Sequence, residues 1–186
     1  PLSCHRTPPP STTRRSSYLT VNIVNNPNNY ASDNAINISG SINVATLNIT
    51  GNNHGIHADD HGIYVGGSIY GGSTVNIHDN IISANEDDGS TGDGIHFAGN
   101  IYTANINIGN GGGDGVYDDP SNFIRGKDGI HFAGKLNSGT KVNINGNRIG
   151  YGKRSYGRYP IYADAVTDDG IQFAEDIQGS ASVSIT

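Results

Sequence analysis

The sequence has no methionine, no tryptophan and one cysteine, and between residues 18 and 124 it has no lysine or arginine. Each absence excludes something. A lone Cys4 provides no disulfide framework and no cysteine-based metal site. It is compatible with an exported protein without fixing a compartment. Without Met the chain does not open on a start codon, so it reads as a fragment or a processed product of something longer. No apolar run approaches the ~20 residues of a membrane helix, and no charged and apolar leader of the secretory kind is visible. A net charge of −6 and a pI near 5.5 argue against a general nucleic-acid binder. Hydrophobic residues make up only 34% against 27 glycines, too few for a compact α/β enzyme and better suited to a thin, elongated core.

What the sequence has in excess is self-similarity. The stretch GDGIHFAGNIYTANINIGN at 92–110 returns as KDGIHFAGKLNSGTKVNINGN at 127–147 and as DHGIYVGGSIYGGSTVNIHDN at 60–80. It returns again as DDGIQFAEDIQGSASVSIT at 168–186, with a degenerate copy, DNAINISGSINVATLNITGN, at 33–52. Repeats on this scale are one supersecondary unit that buries its apolar face only by stacking on its neighbours. Residues 1–17, with Pro8 to Pro10 and a Ser/Thr/Arg composition, share nothing with the repeat. They are expected to form a disordered or artefactual tail, leaving 18–186 as the repeat domain.

Two strand signatures alternate. One is glycine, isoleucine, any residue, apolar residue: Gly62-Ile63-Tyr64-Val65, Gly94-Ile95-His96-Phe97, Gly129-Ile130-His131-Phe132 and Gly170-Ile171-Gln172-Phe173. The other is apolar-Asn-Ile, centred on Asn22, Asn48, Asn76, Asn107 and Asn143, with Ser184 as a variant. Both alternate apolar and polar residues with period two, the pattern of a half-buried strand. The first signature leads to the second over a constant 12 or 13 residues, whereas the return distance varies. A coil with one repeat per turn and one arm free to bulge explains this. Short apolar pieces in that arm (Ile56, Ile81-Ile82, Ile149) supply a third strand. The expected fold is all-β: a right-handed parallel β-helix of five to six rungs, open at one or both ends.

Strand parity sorts the side chains. Ile95, Phe97, Ile130, Phe132, Ile171 and Phe173 are expected inside; Tyr64, His96, His131 and Gln172 form an exposed column, and the strand asparagines form another. The pairs Gly51-Asn52, Asp79-Asn80, Gly109-Asn110 and Gly146-Asn147 mark one corner, with Asn in the left-handed conformation a sharp corner needs. Asp93, Asp128 and Asp169 mark a second corner.

The pattern D-G-I-x-[FV]-x-G-x-[IL]-x(4,5)-[VI]-N-I-x-x-N, across 18–186, resembles the β-helical repeats of bacterial autotransporter passengers and related large surface adhesins, of pectin-lyase-like fold. The resemblance implies export, an extracellular or bacterial cell-surface location, and attachment or display rather than catalysis. Adjacent rungs of a longer chain would be its nearest partners, with neither nucleic acid nor a membrane span in this segment. The competing reading is a polysaccharide lyase or glycoside hydrolase on the same coil.

Four acidic pairs, Asp59-Asp60, Asp87-Asp88, Asp118-Asp119 and Asp168-Asp169, invite a two-carboxylate glycosidase or a calcium site. They recur at corners, and no Arg or Lys accompanies them within 18–124; they read as solvated corners, with no catalytic residue assigned and calcium at most incidental. No cofactor is expected. The segment 109–119, GNGGGDGVYDD, is a single imperfect glycine–aspartate copy of a kind that binds calcium only when stacked many times. His54, His57 and His61, beside Asp59 and Asp60, are weak metal candidates because strands need not bring them together.

The strongest binding candidate is the arm RIGYGKRSYGRYPIY at 148–162. Arg148, Lys153, Arg154 and Arg158 stand among Tyr156, Tyr159 and other tyrosines. Basic groups pair with carboxylate or sulfate, tyrosine faces suit sugar rings, and loops on a rigid scaffold concentrate binding residues. One reading is a solvated loop whose positive charge offsets the acidic coil, or a patch for the next protomer; the other is a weak site for anionic glycans at a host or matrix surface.

Overall fold

The two strand signatures and the arm strand become three parallel sheets, joined once per turn. The structure, a computed structural model, describes residues 19–26, 29–84, 92–109, 121–150, 154–156, 159–161 and 169–186. The expected tail, the pairs Asp87-Asp88 and Asp118-Asp119, and residues 110–119 of the glycine–aspartate loop lie outside them.

The asparagine sheet has six strands: Leu19–Val24, Ala45–Thr50, Thr74–His78, Asn105–Ile108, Lys141–Ile144 and Ser182–Ile185. The arm sheet has five: Asn29–Ala31, Ile56–Ala58, Asn80–Ala84, Asn122–Arg125 and Asn147–Ile149. The histidine sheet has five: Ile36–Ile38, Ile63–Val65, Ile95–Phe97, Ile130–Phe132 and Ile171–Phe173. Every neighbour within these sheets is parallel and in register, so each repeat residue sits on its counterpart: Ile63 on Ile95 on Ile130 on Ile171, and Leu47 on Val75 on Ile106 on Val142 on Val183. The chain is a parallel β-helix of five to six turns.

The core runs along the axis as columns of like residues. Ile95, Phe97, Ile130 and Phe132 are fully buried. The rings of Phe97, Phe132 and Phe173 stack at 4.8 and 4.9 Å, within 6° of parallel, a separation equal to the rung spacing of a sheet. Ile171 and Phe173, expected inside, are only half-buried, because the last rung described has a neighbour on one side only. The constant link between the histidine and asparagine sheets has a structural cause. It carries a fourth column, Ile42, Ile69, Ile101, Leu136 and Ile177, each bridged to the next, and this pins its length.

The corner after the asparagine sheet differs from expectation in two ways. The left-handed residues are Asn25, Gly51, Asp79, Gly109 and Gly146, with φ between 51° and 85°; the asparagine that follows each corner turns inward instead. Asn26, Asn52, Asn80, Asn122 and Asn147 hydrogen-bond from rung to rung. Asn122, not Asn110, holds the fourth place: the chain inserts 110–120 between the corner and its ladder residue. Asn52, Asn80 and Asn122 are buried, and their amides also donate to the backbone oxygens of Ile23, Ile49 and Ile77. On the outer face, Asn48, Asn76, Asn107 and Asn143 form the second expected ladder, at 2.7–2.9 Å.

Candidate functional site

A second corner, just before the histidine sheet, holds the two buried aspartates, Asp93 and Asp128. Its residues are Asn34, His61, Asp93, Asp128 and Asp169, one per rung, each preceding the glycine or alanine that opens the next strand. Each of the first four accepts, through its side chain, the backbone N–H of the corner residue one rung on. Asn34 Oδ1 takes His61 N at 3.3 Å, and His61 Nδ1 takes Asp93 N at 2.9 Å. Asp93 Oδ1 takes Asp128 N at 3.1 Å, and Asp128 Oδ1 takes Asp169 N at 3.0 Å. An acceptor is what this position requires; amide, imidazole and carboxylate all supply one. The glycine beside it is required by space: a Cβ on Gly94 would lie 2.5 Å from Ile124 Cγ2 and 2.7 Å from the carbonyl oxygens of Arg125 and Gly129.

The ladder uses one oxygen of each aspartate and leaves the other for the neighbouring column, Asn37, Tyr64, His96, His131 and Gln172. His96 Nδ1 donates to Asp93 Oδ2 at 2.6 Å, and His131 Nδ1 donates to the same oxygen at 3.0 Å. Asp128 Oδ2 lies 3.5 Å from His131 Nδ1, and Gln172 Nε2 donates to Asp169 Oδ2 at 3.2 Å. The rings follow one another along the axis: Tyr64 stacks on His96 at 5.4 Å, His61 lies tilted against His96 at 4.4 Å, and His96 meets His131 edge-on at 4.8 Å.

This corrects the expectation of an exposed histidine column. The side chains of His96 and His131 are 14% and 18% exposed. Strand parity does send them outward, but Asp93 draws both rings down, that of His96 from three residues earlier and that of His131 from one rung back, and adjacent rungs cover them. Asp93 and Asp128 are buried. Asp128 Oδ2 and His131 Nε2 are both buried without a hydrogen-bond partner, a costly state for a polar atom.

The charge states follow from these contacts. Burial pushes the Asp93 carboxyl up, but hydrogen bonds from His96, the Asp128 N–H and His131 outweigh it and hold the group below its ordinary range. His61 is held below its ordinary value, first by burial and then by the positive charge of His96, against the pull of Asp60 and Asp93. Two overlapping groups place their ligand atoms within 4.8 Å of one another: His61, Asp93 and His96, and Asp93, Asp128 and His131.

Of the expected metal candidates, only His61 enters such a group. His54 is exposed, and His57 sits in the arm sheet. Among the expected glycan contacts, Arg148 is exposed, its guanidinium 5.4 Å from the Phe123 ring centre. Arg154–Tyr156 and Tyr159–Ile161 form a separate antiparallel pair, with Tyr156 opposite Tyr159; Lys153 and Arg158 lie outside the described residues. Of the corner pairs, Asp59 and Asp169 are exposed and Asp60 half-exposed.

Aligning repeats by column, rather than clustering histidines along the chain, is the signal that finds this site. His61, Asp93 and Asp128 share one repeat position, and His96 and His131 share another. No protein family, curated protein or solved structure matches the chain. Among the described residues, no helix is long and apolar enough to cross a membrane.

Proposed function

We propose that this chain is a structural and adhesive segment of an exported β-helix protein, outside the cell or on a bacterial surface, of the kind formed by autotransporter passengers and large surface adhesins. One observation carries the reading. The constant part of each repeat is a rigid, in-register coil, and all three long insertions, 85–91, 110–120 and 151–168, join it at an end of an arm-sheet strand. A scaffold that holds its rungs fixed and varies its length along one sheet is suited to display.

The basic and tyrosine-rich arm is the part assigned to contact. Arg148, Lys153, Arg154, Tyr156, Arg158 and Tyr159 offer cations and flat faces to anionic glycans of a host or matrix surface. A lyase or hydrolase needs paired carboxylates facing a sugar, and Asp93 and Asp128, buried in the corner ladder, do not supply them.

The test is a titration of heparin and of alginate against the wild type and against Arg154→Ala with Arg158→Ala. Binding should weaken in the variant and fade as salt rises, since exposed charge is screened beyond ~8 Å at physiological ionic strength. Equal affinity for both proteins, or indifference to salt, removes this role from the arm.

A further inference from the structure

We propose that Asp93, Asp128 and His131 form a binding site for a divalent first-row transition ion of the zinc class, seated between two rungs of the coil. This inference stands independently of the adhesive reading and of the arm.

Geometry is the first support. A tetrahedral zinc ion with bonds of about 2.0–2.1 Å holds its ligand atoms about 3.3 Å apart. Asp93 Oδ2 and Asp128 Oδ2 lie 3.0 and 3.5 Å from His131 Nδ1, and all three ligand atoms fall within 4.8 Å of one another. Small side-chain movements close such a set around an ion. His96, whose Nδ1 is 2.6 Å from Asp93 Oδ2, or a water would supply the fourth ligand.

The second support is independent of spacing. Asp128 is wholly buried, and its Oδ2 has no hydrogen-bond partner, although Oδ1 is engaged by the Asp169 N–H. An oxygen in that state, aimed at a histidine nitrogen and a second buried carboxylate, is satisfied by a cation. A divalent ion balances the two carboxylates, and the imidazole selects the zinc class over calcium and magnesium, which take oxygen ligands. On binding, the ion takes the place of the proton on His131 Nδ1, which leaves to solvent or moves to Nε2.

The backbone ladder orients the ligands. Asp93 Oδ1 and Asp128 Oδ1 are tied to the N–H of the next corner residue, so Oδ2 of each faces the same side of the coil. Orienting contacts of this sort commonly contribute tenfold or more to metal affinity.

The coil itself supplies the control substitutions. At the corner column, Asn34 performs the ladder bond with an amide, so Asp128→Asn keeps the Oδ1 acceptor and removes the ligand oxygen. At the neighbouring column, Gln172 already occupies a rung, so His131→Gln is sterically provided for. The experiment uses untagged protein, stripped with chelator and titrated with Zn²⁺ by calorimetry, with Co²⁺ absorption as an optical probe and Ca²⁺ as competitor. The wild type should bind one Zn²⁺ per chain, unaffected by equimolar Ca²⁺. The Asp128→Asn, His131→Gln double variant should lose about tenfold or more in affinity, and His54→Ala with His57→Ala should lose none.

A readout on the wild type covers the case in which the double variant fails to fold. In protein with ¹⁵N-labelled histidine, Zn²⁺ should shift the ring resonances of His131 and leave those of His54 in place. Wild type that takes up no Zn²⁺, a folded double variant that binds it equally well, or Zn²⁺ that shifts His54 and not His131 would each overturn the site and leave the column a hydrogen-bonded ladder only.

Discussion

Replacing Asn80 by alanine tests whether the inward asparagine ladder holds the coil together. Asn80 is buried, and its side chain makes five hydrogen bonds. Oδ1 accepts from Asn52 N at 3.1 Å and Asn52 Nδ2 at 2.8 Å. Nδ2 donates to Ile49 O at 2.8 Å, His78 O at 2.9 Å and Asn122 Oδ1 at 3.0 Å. Alanine removes all five and leaves the buried Asn52 N–H without the acceptor that faces it. One stranded buried group costs about 1–3 kcal/mol and each lost bond about 1 kcal/mol, about 6–8 kcal/mol before relaxation; repacking and water recover part of this, so a loss of roughly 3–5 kcal/mol is expected. The outer ladder supplies the comparison. Asn76 is half-exposed and makes two ladder bonds, at 2.8 and 2.9 Å, both replaceable by water; its alanine variant should cost about 1 kcal/mol. Urea unfolding of the two variants, followed by circular dichroism at 218 nm as a strand signal and compared at equal slope, separates them. An Asn80→Ala variant no less stable than Asn76→Ala would refute the assignment of the inner ladder as the main polar tie between rungs.

Two other outcomes follow from the second corner. Gly94→Ala forces a methyl to within 2.5 Å of Ile124 Cγ2 and should destabilise by about 1–3 kcal/mol through overpacking; Gly170→Ala, in the same column with nothing within 4 Å of its added carbon, should cost far less in the same urea titration. The metal-free coil should also lose stability in acid. His61 is depressed below its ordinary 6.5 in the folded chain, so below that pH the unfolded chain binds more protons and the folded state weakens as pH falls toward the folded value. Asp93, held below its ordinary 3.8, adds a further loss from about that pH downward, as the unfolded carboxylate protonates first. Melting temperatures in a chelating buffer should fall more steeply from about pH 7 to about pH 5.5 for the wild type than for His61→Asn; equal slopes would contradict the burial of this imidazole.

The repeat made the coil legible because its columns are chemically monotonous. Isoleucine above isoleucine and asparagine above asparagine can be read as one stacked position without knowing the curvature of the chain. The third strand was recognisable at Ile56, Ile81-Ile82 and Ile149 but not at Asn122–Arg125. There the insertion at 110–120 moved the strand away from its corner, and Asn110 stood in the sequence position that Asn122 fills in space. The link column of Ile42, Ile69, Ile101 and Leu136 showed itself only as a constant spacing, because single-residue bridges have no period of their own.

The histidine site was harder to read for a different reason. Strand alternation says which way a side chain leaves the backbone, and His96 and His131 do leave outward. How deeply such a ring is covered depends on the corner carboxylate it reaches, three positions earlier for His96 and one rung back for His131, and on the rings of adjacent rungs. Asp93 looked like a corner marker, and its second oxygen, the one that collects two imidazoles, has no signature in a linear pattern. His61 fell among His54 and His57 by proximity in sequence, although its column partners are Asp93 and Asp128.

One turn of coil per repeat underlies every side-chain column of the coil, and the chain's four phenylalanines test it directly. In protein labelled only at phenylalanine, ring-to-ring nuclear Overhauser contacts should link Phe97 to Phe132 and Phe132 to Phe173, whose centres stand 4.8 and 4.9 Å apart, with Phe97 showing none to Phe173. An antiparallel arrangement of the same strands would set Phe97 opposite Ile130 instead, and the absence of the Phe97–Phe132–Phe173 chain of contacts would contradict the stacked parallel coil.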